Sequence, residues 1–221
     1  MDEIIISEAN TGSSSVPEEA QDKKIRTIAD ALISSKILLI PASTIYGISC
    51  RYDDRKALNR IYKIKRRRPD MPFIVLISNT NQLEMLVKDL NITAKKLIEQ
   101  YWKIKKPRPL TLILRKNDGP VGLITDAIGT IAVRMAGLKV IRDIISLSGP
   151  IVSTSATLSG TSISPKDISA VPSDIRENMD MVVRLKNALN GTESTIVDVT
   201  GNTPILIREG ALSFESILRE L

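Results

Sequence analysis

The stretch ILLIPASTIYG, Ile37 to Gly47, runs an apolar block into a proline and then presents Ser43, Thr44, Tyr46 and Gly47. Such a segment reads as a buried strand whose end carries polar groups. Just before it, Ile25, Ile28, Ala29, Leu32 and Ile33 recur at helical spacing, so a helix feeds the strand. On the far side, Asp53 or Asp54 can cap a second helix with Ala57, Leu58, Ile61 and Ile64 as its apolar stripe. Further strands are expected at Phe73–Ile77, Leu110–Arg115, Thr130–Met135, Ile151–Ser155, Met181–Leu185, Thr195–Val199 and Ile205–Arg208, the last two as a hairpin around TGNTP. Helices are expected near Asn81–Lys88, Thr93–Trp102, Leu138–Leu147 and Phe214–Leu221. Interleaved helices and strands without an internal repeat indicate an α/β fold with a twisted mixed sheet.

Composition bounds the rest. A chain of 221 residues, 43% hydrophobic and 25% charged, fits one globular domain with a sizeable core. Residues 1–22 contain six acids and no lysine or arginine, and the Ser-rich, acidic run from Glu8 to Asp22 lacks large apolar side chains. We expect residues 1–22 to be a disordered tail, although Ile4–Ser7 could pair at a sheet edge, and 23–221 to form the domain. The remainder keeps all 31 basic residues against 19 acids, a net charge of +12 that calls for an anionic partner such as nucleotide or RNA. Cys50 is the single cysteine, which fits a reducing compartment. No apolar run approaches the ~20 residues of a membrane span and the first residues are acidic, so a cytoplasmic protein is expected.

Histidine is absent, which removes Ser-His-Asp and Cys-His schemes and argues against zinc. There is no G-x-G-x-x-G and no Gly-Lys pair, so phosphate must be held by side chains. The basic run Arg55–Arg68 has eight cations and no acid, ending in Lys65, Arg66, Arg67 and Arg68 where a helix gives way to a core strand. A solvated face or dipole complement at a helix end would account for such a run in many proteins. IVSTSATLSG, from Ile151 to Gly160, and LIREG, from Leu206 to Gly210, end in hydroxyls and in Arg208, and either alone is an ordinary strand end.

Taken together and in order, these segments resemble one family, the YrdC-type L-threonylcarbamoyladenylate synthases, also called TsaC. PASTIYGI is similar to the family's P-T-x-T-x-Y-G-L; Lys65, Arg67, Pro72 and Phe73 to its K-x-R-x-x-x-x-P-apolar motif; PRPLTLIL to P-G-P-x-T-L-I-L; STSATLSG to S-T-S-A-N-x-S-G; and STIVDV with LIREG to S-T-I-V-D followed by I-x-R-x-G. The resemblance runs from about Lys23 to Leu212. It implies a single YrdC-like domain with flanking helices and a concave basic cavity, and a reaction in which L-threonine, bicarbonate and ATP give threonylcarbamoyl-AMP and pyrophosphate for tRNA modification. It further implies phosphate binding by Lys65 and Arg67 as the catalytic cations, nucleotide contacts from Ser153, Ser155 and Arg208, and a threonine pocket built from Thr44, Tyr46, Arg134 and Ser194. Magnesium would accompany ATP, no protein metal site is expected, and the tRNA threonylcarbamoyl-transfer machinery would be the downstream partner. No nucleophile or general base is evident in the sequence, consistent with catalysis by positioning and charge neutralisation.

Ala42, Ser43, Met71, Arg108, Ala136 and Thr157 depart from the family pattern. The other function compatible with the +12 body is a non-catalytic module on the same fold that binds double-stranded RNA or tRNA, although aromatics, at 3%, offer few stacking platforms. Within KIKRRRP, Lys65 and Arg67 are expected to face the cavity and Arg66 and Arg68 the opposite side, by alternation along an extended segment.

Overall fold

The computed structural model describes residues 2–8, 17–68, 71–118, 129–158, 165–186 and 189–221. Its strands are β1 (Asp2–Ile6), β2 (Leu38–Pro41), β3 (Tyr46–Arg51), β4 (Ile74–Ile77), β5 (Leu110–Arg115), β6 (Thr130–Met135), β7 (Ile151–Ser155), β8 (Met181–Leu185), β9 (Thr195–Asp198) and β10 (Ile205–Arg208). The helices are α1 (Glu18–Ile33), α2 (Arg55–Lys65), α3 (Ile92–Tyr101), α4 (Lys139–Ser148), α5 (Ser173–Arg176) and α6 (Phe214–Leu218). A 3-10 turn over Thr80–Met85 stands where a helix was predicted, and a second spans Ile168–Ala170.

One mixed sheet takes the order β1-β8-β2-β3-β7-β4-β6-β5-β9-β10. Its central strands β2 and β4 are short and apolar, and β7 starts apolar and ends in hydroxyls. One face packs beneath α2, α3 and α6 around Tyr101, Trp102, Phe73 and Ile61. The other is covered at one end by α1 and α4, through Ile28, Leu32, Ile141 and Ile145 against Leu38, Ile40 and Leu76. At the opposite end of that second face no helix among the described residues lies over β6, β5, β9 and β10, and the inward-pointing side chains face a cavity.

The opening stretch folds as a hairpin. β2 runs to Pro41, Ala42 N donates to Ile45 O at 3.0 Å, and Ser43 adopts a left-handed φ of 68° in the turn. β3 then returns antiparallel, pairing Tyr46 with Pro41. This second strand was not foreseen, because Gly47 and the hydroxyls before it read as a strand end.

At the N-terminus the edge pairing allowed for Ile4–Ser7 is found, whereas the start of the domain at residue 23 is corrected. β1 pairs in parallel with β8, from Asp2 against Met181 to Ile6 against Leu185, and Ile6 is fully buried. α1 begins at Glu18, not beyond residue 22. Lys24 Nζ and Gln21 Nε2 donate to the carbonyls of Ile5 and Ser7, and the Glu8 carboxylate accepts from the amides of Lys139 and Val140. Glu8 thereby caps α4, whose own N-cap residue Leu138 offers no side-chain acceptor. The segment works as structure because Ile4 and Ile6 share one face of a strand. The rest of the expected tail, residues 9–16, lies outside the described residues, as do Ser159 and Gly160 of the STSATLSG motif.

Candidate active site

α2 delivers the basic cluster. The Asp54 side chain accepts from Ala57 N, and Ala57, Leu58 and Ile61 dock the helix on the sheet. It ends at Arg66, a non-glycine residue held at φ 49°, a conformation that costs on the order of 1 kcal/mol. This left-handed cap turns the chain so that Arg66 and Arg68 are exposed while Arg67 lines the cavity. The inward and outward assignment of these arginines stands, but a helix cap produces it in place of strand alternation. Arg67 donates from Nε to Met71 O at 3.2 Å and from Nη2 to Pro72 O at 2.9 Å, and its guanidinium lies 5.4 Å over the Phe73 ring. A preorganised fork of this kind loses little freedom when it meets an anion.

Lys65 is placed differently from its expected role. It is 1% exposed, and its Nζ donates to the carbonyls of Ser155 and Thr157, the latter at 2.7 Å, with Ser155 Oγ at 3.4 Å. It therefore lies behind the end of β7 and ties that strand to α2. Burial, reinforced by the neighbouring Arg67, pushes its amine down to about 8. Thr157, which stands where the family has asparagine, bonds Ser155 Oγ through its own hydroxyl at 3.1 Å.

The cavity itself measures about 350 Å³. Thr44, Arg67, Arg134, Ser153, Ser155, Ser194 and Arg208 all line it, so seven of the nine expected residues converge from the β2–β3 turn, the segment after α2, β6, β7, the residue before β9, and β10. Gly47 makes room for one of them: a Cβ there would sit 2.4 Å from Ser153 Oγ and 3.2 Å from Thr154 O. Gly210 plays a similar part, since a Cβ would fall 2.3 Å from Glu193 O. Thr154 and Glu193 add polar groups, and much of the remaining wall is apolar, with Ile113, Ile196 and Ile207 from β5, β9 and β10.

Arg134 sits deep, 5% exposed, donating from Nη2 to Ala42 O at 2.8 Å and from Nη1 toward Thr44 Oγ1 at 3.4 Å. Its Nε is buried with no hydrogen-bond partner. Burial, with Arg208 as the next cause, pushes the guanidinium down to about 10, while Glu193 acts in the opposite sense. A buried cation with an unpaired donor is a costly feature, and here it lies in the wall of the cavity. Beside it, Ser194 Oγ and Thr111 Oγ1 pair at 2.8 Å, Thr111 being the register partner of Arg134. Arg208 donates from Nη2 to Ser194 O at 2.9 Å and from Nη1 to the Glu193 carboxylate.

Tyr46 does not join them. Its ring packs in the core on the opposite face, and its hydroxyl accepts from Leu185 N at 2.9 Å, so it braces β8 instead of lining the cavity. The reason is pleating: Gly47 points to the cavity, hence Tyr46 points away. Arg108, in place of the family's glycine, lies 5.6 Å over the Tyr101 ring. The sequence reading passed over Thr111 and Glu193; the latter's position directly before Ser194 was the one available signal.

The chain therefore combines a ten-stranded mixed sheet, helices on both faces and a cavity lined by three guanidinium groups. Residues 30–210 match the family model Sua5_yciO_yrdC, described as telomere recombination, and the chain belongs to this family. It is 34% identical over 203 residues to the threonylcarbamoyl-AMP synthase of Pyrococcus abyssi, covering 91% of this chain and 58% of that protein. A putative threonylcarbamoyl-AMP synthase of Methanocaldococcus jannaschii is 29% identical, with 91% of this chain and 93% of the relative covered. The crystal structure of P. abyssi Sua5 complexed with L-threonine superposes with a TM-score of 0.87 at 31% identity, over all of this chain and 61% of that one. Escherichia coli YciO shares the fold, with a TM-score of 0.82 at 20% identity, over 98% of this chain and 100% of that one. The chain thus spans about three-fifths of the P. abyssi protein.

Proposed function

We propose that the protein is an L-threonylcarbamoyladenylate synthase, a nucleotidyltransferase that forms threonylcarbamoyl-AMP and pyrophosphate from L-threonine, bicarbonate and ATP. The observation that carries this reading is the convergence of Thr44, Arg67, Arg134, Ser153, Ser155, Ser194 and Arg208 on one cavity of about 350 Å³, within the size range of ligand pockets. The names of the relatives support it, as does the threonine held by P. abyssi Sua5.

In this reading Arg134 takes the threonine carboxylate, with Thr44 and Ser194 supplying hydroxyls for the rest of the amino acid. Arg67 and Arg208 bind the phosphates, Ser153 and Ser155 the nucleotide, and Lys65 holds Ser155 in place from behind. The carbamate oxygen attacks the α-phosphorus of ATP. Pyrophosphate leaves with growing negative charge, which guanidiniums in a partly desolvated cavity stabilise more than water would.

Magnesium fits as part of the nucleotide substrate and not as a resident ion. Among the described residues no group of three or more acidic, Cys or His side chains is arranged to hold a metal, and the lining carboxylate, Glu193, is already paired with Arg208. The product would pass to the tRNA threonylcarbamoyl-transfer machinery in the cytoplasm. Arg66 and Arg68, exposed beside the cavity, are the side chains that would meet tRNA. No helix among the described residues is long and apolar enough to cross a membrane.

The test is pyrophosphate release, which should require threonine, bicarbonate and ATP together. Serine should be poorer by roughly 1–3 kcal/mol, the worth of a missing methyl-sized group in a fitted pocket. Absent release, or release independent of the amino acid, refutes the reading.

A further inference from the structure

Glu193 is the one acidic side chain among the described residues that line the cavity, set among Arg67, Arg134 and Arg208. A site for a triphosphate, bicarbonate and a carboxylate calls for cations alone, and a carboxylate works against each of those ligands. On the function proposed above, one group is left unserved: the α-ammonium of threonine, which must shed a proton before its nitrogen can attack carbon. Glu193 precedes Ser194, assigned to threonine, and pairs with Arg208, assigned to phosphate. It stands where the amino acid and the nucleotide have to meet, and its side chain is 38% exposed toward solvent.

We propose that Glu193 binds the ammonium of threonine and accepts its proton. The ammonium gives one proton to the carboxylate, leaving a neutral amine and a carboxylic acid. The amine lone pair forms the N–C bond to bicarbonate, the C–OH bond breaks, and the departing hydroxide takes a second N–H proton as water, leaving the carbamate anion. Atoms and charge balance without a further reactant. ATP primes the step, because its phosphates compete with Glu193 for Arg208. A carboxylate released from its guanidinium has both oxygens free to meet the ammonium.

The charged groups facing Glu193 are Arg208 from β10, Arg134 from β6, Lys65 from the end of α2, and Arg67 just beyond it. All are cationic near neutral pH, and Lys65 loses its charge at about 8. The experiment therefore reads the ratio of variant to wild type, in which the Lys65 titration cancels.

Pyrophosphate release is measured for wild type, Glu193→Gln and Glu193→Asp from pH 7 to 9.5 with saturating bicarbonate. Glu193→Gln should lower kcat by about 10²–10⁴-fold at pH 7.5, the usual scale for a proton-transfer group. The deficit should shrink about tenfold per pH unit as threonine loses its ammonium proton in solution. KM for threonine should rise while KM for ATP stays within about threefold, and Glu193→Asp should keep partial activity with the wild-type pH profile. A Glu193→Gln deficit that is absent, that is flat with pH, or that falls on KM for ATP overturns the inference and leaves a partner of Arg208 only. Wild-type protein that releases no pyrophosphate overturns the proposed function and this inference with it.

Discussion

Replacing Arg134 with methionine should make the protein more stable and less able to bind threonine. Burial pushes the guanidinium well below its ordinary range, down to about 10. At 1.36 kcal/mol per unit this is a penalty of about 3 kcal/mol for keeping the charge inside. Methionine removes that cost and fills a similar channel. The hydrogen bond to Ala42 O is lost, worth about 1 kcal/mol because that carbonyl keeps a second donor in Ser43 Oγ. The net gain of about 2 kcal/mol corresponds to a Tm increase of about 4–8 °C for a domain of this size. Threonine meanwhile loses a charge-assisted bond of about 1.5–3 kcal/mol, a roughly ten- to hundredfold weaker Kd. Differential scanning calorimetry and titration calorimetry on one preparation read both quantities. A Tm that falls by several degrees would show that the guanidinium is a structural anchor, and an unchanged threonine affinity would show that it does not face the carboxylate.

Arg67→Ala should cut pyrophosphate release by about 10²–10³-fold, the scale of one preorganised charge-stabilising donor, whereas Arg66→Ala and Arg68→Ala should leave turnover within about twofold; equal damage from all three would contradict the orientation imposed by the Arg66 cap. Removing residues 2–8 should lower Tm by at least about 5 °C, since Ile6 contributes roughly 2 kcal/mol of burial and the Glu8 cap about 1 kcal/mol; a melt unchanged within error would mean that β1 adds nothing. The Lys65 amine titrates at about 8 in the folded protein against 10.5 unfolded. Between those values the unfolded chain holds a proton that the folded chain has shed, so stability gains from this group as pH rises through the window. The Tm of wild type relative to Lys65→Met should accordingly climb from pH 8 to 10, and a constant difference would refute the buried placement of the amine.

Elements that announce themselves through one face were legible in the sequence. The stripe Ala57, Leu58 and Ile61 with an acid in front specified α2, and apolar runs between turn residues located β4 to β10 to within a residue or two. β3 escaped because Gly47, Ser49 and Cys50 are small residues packed between neighbouring strands, which removes the bulky alternation by which strands are recognised. That omission caused the error at Tyr46, since without the strand its pleat direction could not be assigned. β1 was open in the sequence only as an edge pairing of Ile4–Ser7, because its partner lies at Met181–Leu185, beyond the reach of any local pattern. Glu193 offered only its place before Ser194: its meaning comes from the cations of β6 and β10 and those at the end of α2 that the fold brings around it.

The strand order dictates when the protein can acquire its shape. β2 finds one neighbour at once in β3, but its other neighbour is β8, and β1 has no partner until β8 exists. While the chain is being made, the apolar sides of β1 and β2 and the α1 residues that cover them wait for residues 181–185 to emerge. At a synthesis rate of about 5–20 residues per second that interval is of the order of ten seconds or more. Pairings so distant in sequence close slowly and leave strand edges open to other chains in the meantime. Yield in cells should therefore respond to growth temperature and chaperone supply more strongly than the finished domain's stability would indicate.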